Sequence, residues 1–430
     1  MINKFKNIID TDNKKRLFSN FISLSILQLA NYLLPLIIVP YLFAVLGTVK
    51  YGLIVFAQSL VASFGLFVNY GFNLSATKEI AVHQKNIKKV SEIYSTVTVI
   101  KSLFSLIALL LFLILIFSFN KFSDDKTLYL LTFGTIIESI LFPVWLFQGM
   151  ERMKYITVIY SISKIIVAIL IFTVINNTSD YLLIPILYFC GSLSSGIISI
   201  FILFKYFKIK FYYPSLQQIK FQLHDGWHLF ISNISINLYR NSNILILGFL
   251  TTPLYVGYYA LAEKVIRALQ GLLGPISETL YPYIANKSAK QSIKKSLENL
   301  LKISKYYFFI LITIVFFVLF LAPFAVEILT DSEINNIVLD MRILTGALFF
   351  GGFNYLMGII GLISLGFQKY FSRAVIITGS INVALCFVLS PLIKDSGAAF
   401  ALTVSELVLS ILLFNKLFSL YKLQNIENGE

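Results

Sequence analysis

Three cations stand where the surrounding sequence is apolar. Arg240 lies in the run Asn237-Leu238-Tyr239-Arg240-Asn241-Ser242-Asn243, inside one long apolar stretch, and Lys264 and Arg267 lie inside the next. A charge at bilayer depth is costly, about 2.5–3.5 kcal/mol on insertion scales, so such residues usually face a water-filled path or a charged ligand. Arginine offers a planar fork that binds oxyanions bidentately, and lysine adds a compact point charge. Together they suit a phosphate or pyrophosphate group. Asn237 and Asn241 are four residues apart and share a helix face with one another. This polar run predicts a helix face turned to a hydrated cavity, with local unwinding. Glu263 stands four residues before Arg267 and so can hold it or neutralise it. Lys264 is rotated about 100° from Glu263 around the helix axis, with no neutralising neighbour on its own helix.

Other polar residues lie inside apolar runs. Asn31 and Gln58 offer amides that either line a path or join helices by hydrogen bonds. Glu138 and Lys164 sit mid-run in consecutive stretches, as a buried ion pair or an ion-coupling site. Glu406 has no partner legible in the sequence and is a second ion-coupling or structural carboxylate. Lys101 lies near one end of its run and is expected to snorkel to the interface.

The elements that position these groups are membrane spans. The chain has 430 residues, 57% of them hydrophobic and only 13% charged, against roughly a quarter charged in soluble domains. A spanning helix needs about 20 apolar residues. Twelve such runs are present, near 17–42, 51–73, 93–119, 127–148, 154–175, 181–204, 225–250, 253–283, 304–329, 336–363, 373–392 and 397–419. The polar, basic start at 1–16 and the long apolar run behind it predict a retained first span. The expected fold is all-α and polytopic, with twelve transmembrane helices in two six-helix lobes, 1–222 and 223–430, around a central cavity. The basic segment 205–222 links the lobes.

Charge sets the orientation. With the N-terminus inside, inner segments hold 25 Lys and Arg and outer segments only 5 (Lys50, Lys121, Lys126, Arg342 and Lys394). That asymmetry places both termini in the cytoplasm. It also accounts for the net charge of +14 without nucleic acid. Segments 76–92 and 286–301 read as amphipathic helices whose lysines meet anionic inner-leaflet lipids.

The chain echoes itself. Tyr51-Gly52 through Gln58 follows the first span, and Val256-Gly257 through Glu263 follows the seventh, with Gly52 and Gly257 aligned at an offset of 205 residues. Gln148-Gly149-Met150-Glu151-Arg152 pairs with Leu365-Gly366-Phe367-Gln368-Lys369, each on the inner side of a span. Two like-oriented halves follow, as in transporters that alternate access by rocking.

Cys190 and Cys386 lie in apolar runs and imply neither disulfides nor a metal site. His224 and His228 flank Trp227 as an interfacial cluster. The sequence holds no phosphate-binding glycine loop and no nucleophile motif. It therefore reads as a protein that is not an enzyme and has no bound cofactor. Proton or sodium coupling stays open. Alternatives are a small-molecule or drug antiporter and, less well supported, a membrane polysaccharide polymerase or glycosyltransferase, which would need sizeable catalytic loops.

The stretch Trp145-Leu146-Phe147-Gln148-Gly149-Met150-Glu151-Arg152-Met153-Lys154-Tyr155 resembles a segment of Wzx-type polysaccharide repeat-unit (O-antigen) flippases. Tyr51-Gly52 and Val256-Gly257-Tyr258-Tyr259-Ala260-Leu261-Ala262-Glu263-Lys264 do so too. This is a family of the multidrug/oligosaccharidyl-lipid/polysaccharide exporter superfamily. The resemblance implies movement of undecaprenyl-pyrophosphate-linked oligosaccharide from the inner to the outer leaflet of the bacterial cytoplasmic membrane. It implies a cationic cavity lined by spans 1, 2, 7 and 8, which Arg240, Lys264 and Arg267 fit, and working partners such as a polysaccharide polymerase and a chain-length regulator. The first two spans depart from that pattern by offering amides and no cation.

Overall fold

The computed structural model describes residues 12–288, 293–329 and 334–427. Among them every regular element is helical. The α-helices are α1 (Asp12–Asn69), α2 (Phe72–His83), α3 (Ile87–Ser118), α4 (Lys126–Phe133), α5 (Ile137–Leu141), α6 (Val144–Gly149) and α7 (Met153–Val174). They continue with α8 (Leu183–Lys205), α9 (Leu216–Leu250), α10 (Pro253–Ser288), α11 (Ile293–Leu329), α12 (Ile334–Asn354) and α13 (Gln368–Glu427). A π-helix, Tyr355–Ile363, continues α12.

Eight helical stretches among the described residues are long and apolar enough to cross a membrane. Their outward faces are apolar: Leu106, Leu110 and Ile114 on α3, and Phe316, Phe320 and Phe324 on α11, are all exposed. In water such surfaces would be a liability; in lipid they are the solvated face. The chain is a multi-pass membrane protein.

Two of the helices are hairpins joined at a single kink. In α1 only Gly47 leaves helical geometry (φ 74°, ψ 167°). The rings of Phe43 and Tyr51 nevertheless meet at 5.5 Å, whereas eight residues of straight helix would separate their Cα atoms by about 12 Å. In α13 the break falls at Ile393 and Lys394, and a Cβ on Gly397 would lie 2.6 Å from the Leu389 carbonyl.

The chain divides into two compact units, one of residues 1–38 and 57–234, the other of 39–56 and 235–430. In the first, a cluster including Phe72, Ile80, Tyr94, Trp145 and Phe147 forms the core. The amphipathic helix expected over 76–92 is two elements: α2 ends at His83 and α3 starts at Ile87, capped by the Asn86 side chain. Gly149 packs on α2, where a Cβ would lie 2.7 Å from Ile80 Cβ, while Thr77 Oγ1 donates to the Trp145 carbonyl (3.1 Å). Asn20 joins α1 to α7, donating to the Glu151 carbonyl (3.2 Å) and accepting from the Met153 amide (3.3 Å).

The second sequence echo takes on structural meaning here, with a shift of register. After α6, Arg152 N–H donates to the Phe147 carbonyl and Glu151 N–H to that of Gln148; after the π-helix, Phe367 N–H donates to Leu362 and Gly366 N–H to Ile363. Both are Schellman stops with one left-handed residue. That residue is Glu151 (φ 54°) in one and Gly366 (φ 88°) in the other. Glu151 rather than Gly149 is thus the equivalent of Gly366.

In the second unit the first echo becomes a contact. A Cβ on Gly52 would lie 1.9 Å from the Pro253 carbonyl oxygen, and one on Gly257 2.4 Å from that of Thr48. Thr48 and Pro253 carry the same 205-residue offset as the glycines. The two repeated segments therefore pack reciprocally, backbone to backbone, as a local pseudo-twofold would require.

Candidate functional site

In the second unit α9 and α10 carry most of the predicted groups. The unwinding expected at 237–243 is absent, since α9 runs unbroken from Leu216 to Leu250. Its backbone hydrogen bonds are satisfied within the helix, and the polar side chains pair instead: Asn241 Nδ2 donates to Asn237 Oδ1 (2.8 Å). Arg240 lies on α9, and its side chain falls outside the described residues.

On α10, Glu263 is buried and Arg267 Nη2 donates to its Oε1 at 2.8 Å. The Tyr259 hydroxyl donates to the same oxygen (3.3 Å). Behind it Asn243 Nδ2 donates to the Tyr259 hydroxyl and to the Ala398 carbonyl, both at 3.1 Å, and Asn382 Nδ2 donates to Asn243 Oδ1 (2.8 Å). A buried polar chain thus runs from α13 through α9 to the carboxylate that holds Arg267. Such chains fix side-chain geometry when every member is paired. Lys264 is exposed and makes no hydrogen bond or ion pair among the described residues. One cation is oriented and its neighbour is left for solvent or ligand.

Glu406, whose partner was not legible in the sequence, has one in Asn354. Asn354 Nδ2 donates to Glu406 Oε2 (2.6 Å) and to its carbonyl (2.8 Å), and Ser410 Oγ donates to Asn354 Oδ1 (2.7 Å). Asn354 is the last residue before the π-turn, a deviation that recurs at functional sites. Glu406 lies within electrostatic reach of Arg267.

In the first unit the predicted groups have partners that the sequence did not reveal. Glu138 and Lys164 lie within electrostatic reach of one another, and each also has polar partners of its own. Glu138 accepts from Ser195 (3.1 Å) and Ser192 (3.3 Å) of α8. Lys164 donates to Asn31 and lies 5.4 Å from the Tyr160 ring centroid. Asn31 therefore engages a cation of α7. Close approach of α8 explains the serines: Gly191 and Gly196 flank them, and a Cβ on Gly196 would lie 2.6 Å from Leu141 Cβ. Glu138 itself sits in a broken span, with Phe142 and Pro143 outside helical geometry. Gln58 is half-buried and shows no hydrogen bond among the described residues.

Lys101 corrects the sequence reading. It does not snorkel: it is 2% exposed, and its Nζ donates to Asn69 Oδ1 (2.9 Å) and to the Ser139 carbonyl (3.0 Å). Asn69 at the end of α1 was the available signal, since an amide at that depth offers an amine a neutral partner.

These helices, with charged and amide groups paired at membrane depth, define a multi-pass membrane protein of transporter architecture. The backbone resembles an inward-facing multidrug resistance MATE family transporter of the MOP superfamily (TM-score 0.71, 13% identity, 94% of this chain and 98% of that one). It also resembles lipid II flippase MurJ in an inward closed conformation (TM-score 0.71, 19% identity, 94% and 87%). At those identities the likeness is one of fold. In sequence, the chain is 32% identical over 408 residues to "Putative O-antigen transporter" of Escherichia coli (strain K12), covering 93% of this chain and 97% of that one. It is also 32% identical over 274 residues to a protein of the same name from Shigella dysenteriae, covering 62% and 67%. The family described as polysaccharide biosynthesis protein matches residues 17–288, and the chain belongs to that family.

Proposed function

We propose that the chain is a lipid-linked oligosaccharide flippase, moving undecaprenyl-pyrophosphate-linked glycan repeat units from the inner to the outer leaflet of the bacterial cytoplasmic membrane by alternating access. Its similarity along nearly the whole chain to a protein named for O-antigen transport supports this reading. The observation that carries it is the arrangement on α10: Arg267 held by buried Glu263, and Lys264 exposed beside it. A drug antiporter for cations would want the reverse, unpaired acids and few cations. The MATE-like fold is the observation that keeps this second reading in view.

In this account Arg240, Lys264 and Arg267 contact the pyrophosphate, and Asn237 and Asn241 add amides. Gln58 lines the path, and Asn31 holds Lys164. Glu138, Glu263 and Glu406 are positioning or ion-coupling carboxylates. In this reading the chain crosses twelve times: six single stretches, two crossings in each of the kinked hairpins α1 and α13, and one each in α9 and α10. Two six-helix lobes follow. The positive-inside asymmetry puts both termini in the cytoplasm, and a polysaccharide polymerase and a chain-length regulator are the working partners of this reading. The chain acts as a carrier and catalyses no bond change. A sugar head cannot cross hydrocarbon unaided, so the path is hydrated while the polyprenyl tail stays in lipid. An inside-negative potential favours outward movement of the anion by about 2.3 kcal/mol per charge per 100 mV.

The test is headgroup translocation of a fluorescent undecaprenyl-pyrophosphate oligosaccharide in proteoliposomes under an imposed potential. Flipping accelerated by inside-negative potential, lost in Arg240→Ala and partly kept in Arg240→Lys, is expected. Transport of a cationic drug with no glycolipid flipping would favour the antiporter instead.

A further inference from the structure

A second pair of acids lies outside the groups discussed so far. Asp340 on α12 is completely buried, and Asp395, next to the kink of α13, is 6% exposed. Ser396 Oγ donates to Asp340 Oδ1 at 2.9 Å. Asp340 Oδ2 and Asp395 Oδ2 are buried and have no hydrogen-bond donor among the described residues. The two side chains are within hydrogen-bonding reach of one another.

Two carboxylates in that relation cannot both be ionised away from water: the repulsion adds to the cost of desolvating each. Two buried carboxyls in reach of one another, each with an oxygen lacking a donor, are both served by one shared hydrogen. Among the described residues no group of three or more His, Cys, Asp or Glu is placed to hold a metal ion. The nearby cation, Lys394, is engaged with Tyr255 of α10, donating to its hydroxyl with Nζ 4.5 Å from the ring centroid. It also lies within electrostatic reach of Asp395, so its charge acts on one member of the pair while its hydrogen bond goes to Tyr255.

The location gives the pair a mechanical role. Lys394 is in the left-handed region (φ 56°), so the turn of the α13 hairpin is strained and needs ties. It has two: Lys394 to Tyr255, and Asp395 with Ser396 to Asp340. We propose that Asp340 and Asp395 form a proton-binding site, in which one shared proton latches the turn of the α13 hairpin to α12. Loss of that proton leaves two buried negative charges facing each other and releases the turn. The site is independent of the transport reading, because it depends only on the two carboxyls and their surroundings.

The test uses the full-length protein in nanodiscs. Infrared spectra at neutral pH should show a protonated carboxylic acid C=O band that is lost in Asp395→Asn, since an asparagine amide donates to the remaining carboxylate and replaces the proton. Thermal unfolding adds a second reading. Wild type should lose thermal stability as pH rises, because the shared proton is withdrawn, while Asp340→Asn/Asp395→Asn should be much less sensitive over the same range. If either single variant folds poorly, the double asparagine variant, which repels nothing, still reports. An unchanged carboxylic acid band in Asp395→Asn, or identical pH profiles for wild type and the double variant, would overturn the proposal.

Discussion

Glu263 Oε1 accepts from Arg267 Nη2 at 2.8 Å and from the Tyr259 hydroxyl at 3.3 Å. One buried oxygen thus connects the cation of α10 to the amide chain of Tyr259, Asn243 and Asn382. The carboxylate holds the guanidinium from one side and so sets the direction in which its fork meets an oxyanion. Glu263→Gln should therefore lower glycolipid flipping by roughly tenfold, the equivalent of about 1.4 kcal/mol, with a smaller effect on stability. Arg267→Gln should act alike, and the double variant should be no worse than either single one. Flipping rates in proteoliposomes for the three variants check this; additive losses would separate the two residues.

Asn243 makes three contacts, to Tyr259, Ala398 and Asn382. Asn243→Ala removes them and leaves buried polar partners behind, at about 1–3 kcal/mol for an orphaned group. A lowered thermal midpoint in detergent is expected. Asn382→Ala should cost less, because it removes one donor to Asn243 Oδ1 while Asn243 Nδ2 keeps both its acceptors.

Gly52→Ala and Gly257→Ala would each force a methyl into backbone, at 1.9 Å from Pro253 O and 2.4 Å from Thr48 O. Overpacking of this kind costs about 1–3 kcal/mol or more, and neither neighbour is a side chain that can turn aside. Both variants should give little monodisperse protein by fluorescence-detected chromatography. Gly65→Ala, on the same hairpin with open space at its Cβ position, should be neutral or stabilising by up to about 1 kcal/mol.

The two Schellman stops make a paired prediction. Glu151 occupies a left-handed position (φ 54°) where its counterpart is Gly366. Glu151→Gly should raise stability by about 1 kcal/mol, and Gly366→Ala should lower it by a similar amount. Thermal unfolding of the two variants should move in opposite directions.

Helical character and multiple crossings were legible because lipid demands long apolar runs, and these were plain in the sequence. The Glu263–Arg267 pair was legible because four residues on a helix bring side chains together. Partners distant in sequence were not. Nothing in the neighbourhood of Lys164 points to Asn31, and nothing near Lys101 points to the Ser139 carbonyl, so burial and snorkelling could not be told apart. The π-turn after Asn354 has no residue signature of its own; its glycines matter through packing, as where a Cβ on Gly358 would meet the Phe371 ring at 2.2 Å. Pro143 could have signalled the break in the span of Glu138, which the sequence reading ran unbroken over 127–148. The acid pair of Asp340 and Asp395 was hidden because one member sits in a span and the other beside a turn.

The central claim is an anion path along α10, and Lys264 tests it most directly because it is exposed and its side chain supports no described contact. Headgroup translocation should be measured in proteoliposomes for wild type, Lys264→Ala and Lys264→Arg, at equal protein density and with folding checked by chromatography. The account predicts a loss of tenfold or more for the alanine variant, about 1.4 kcal/mol at least, with much of the rate kept by arginine. Wild-type flipping in Lys264→Ala would contradict it.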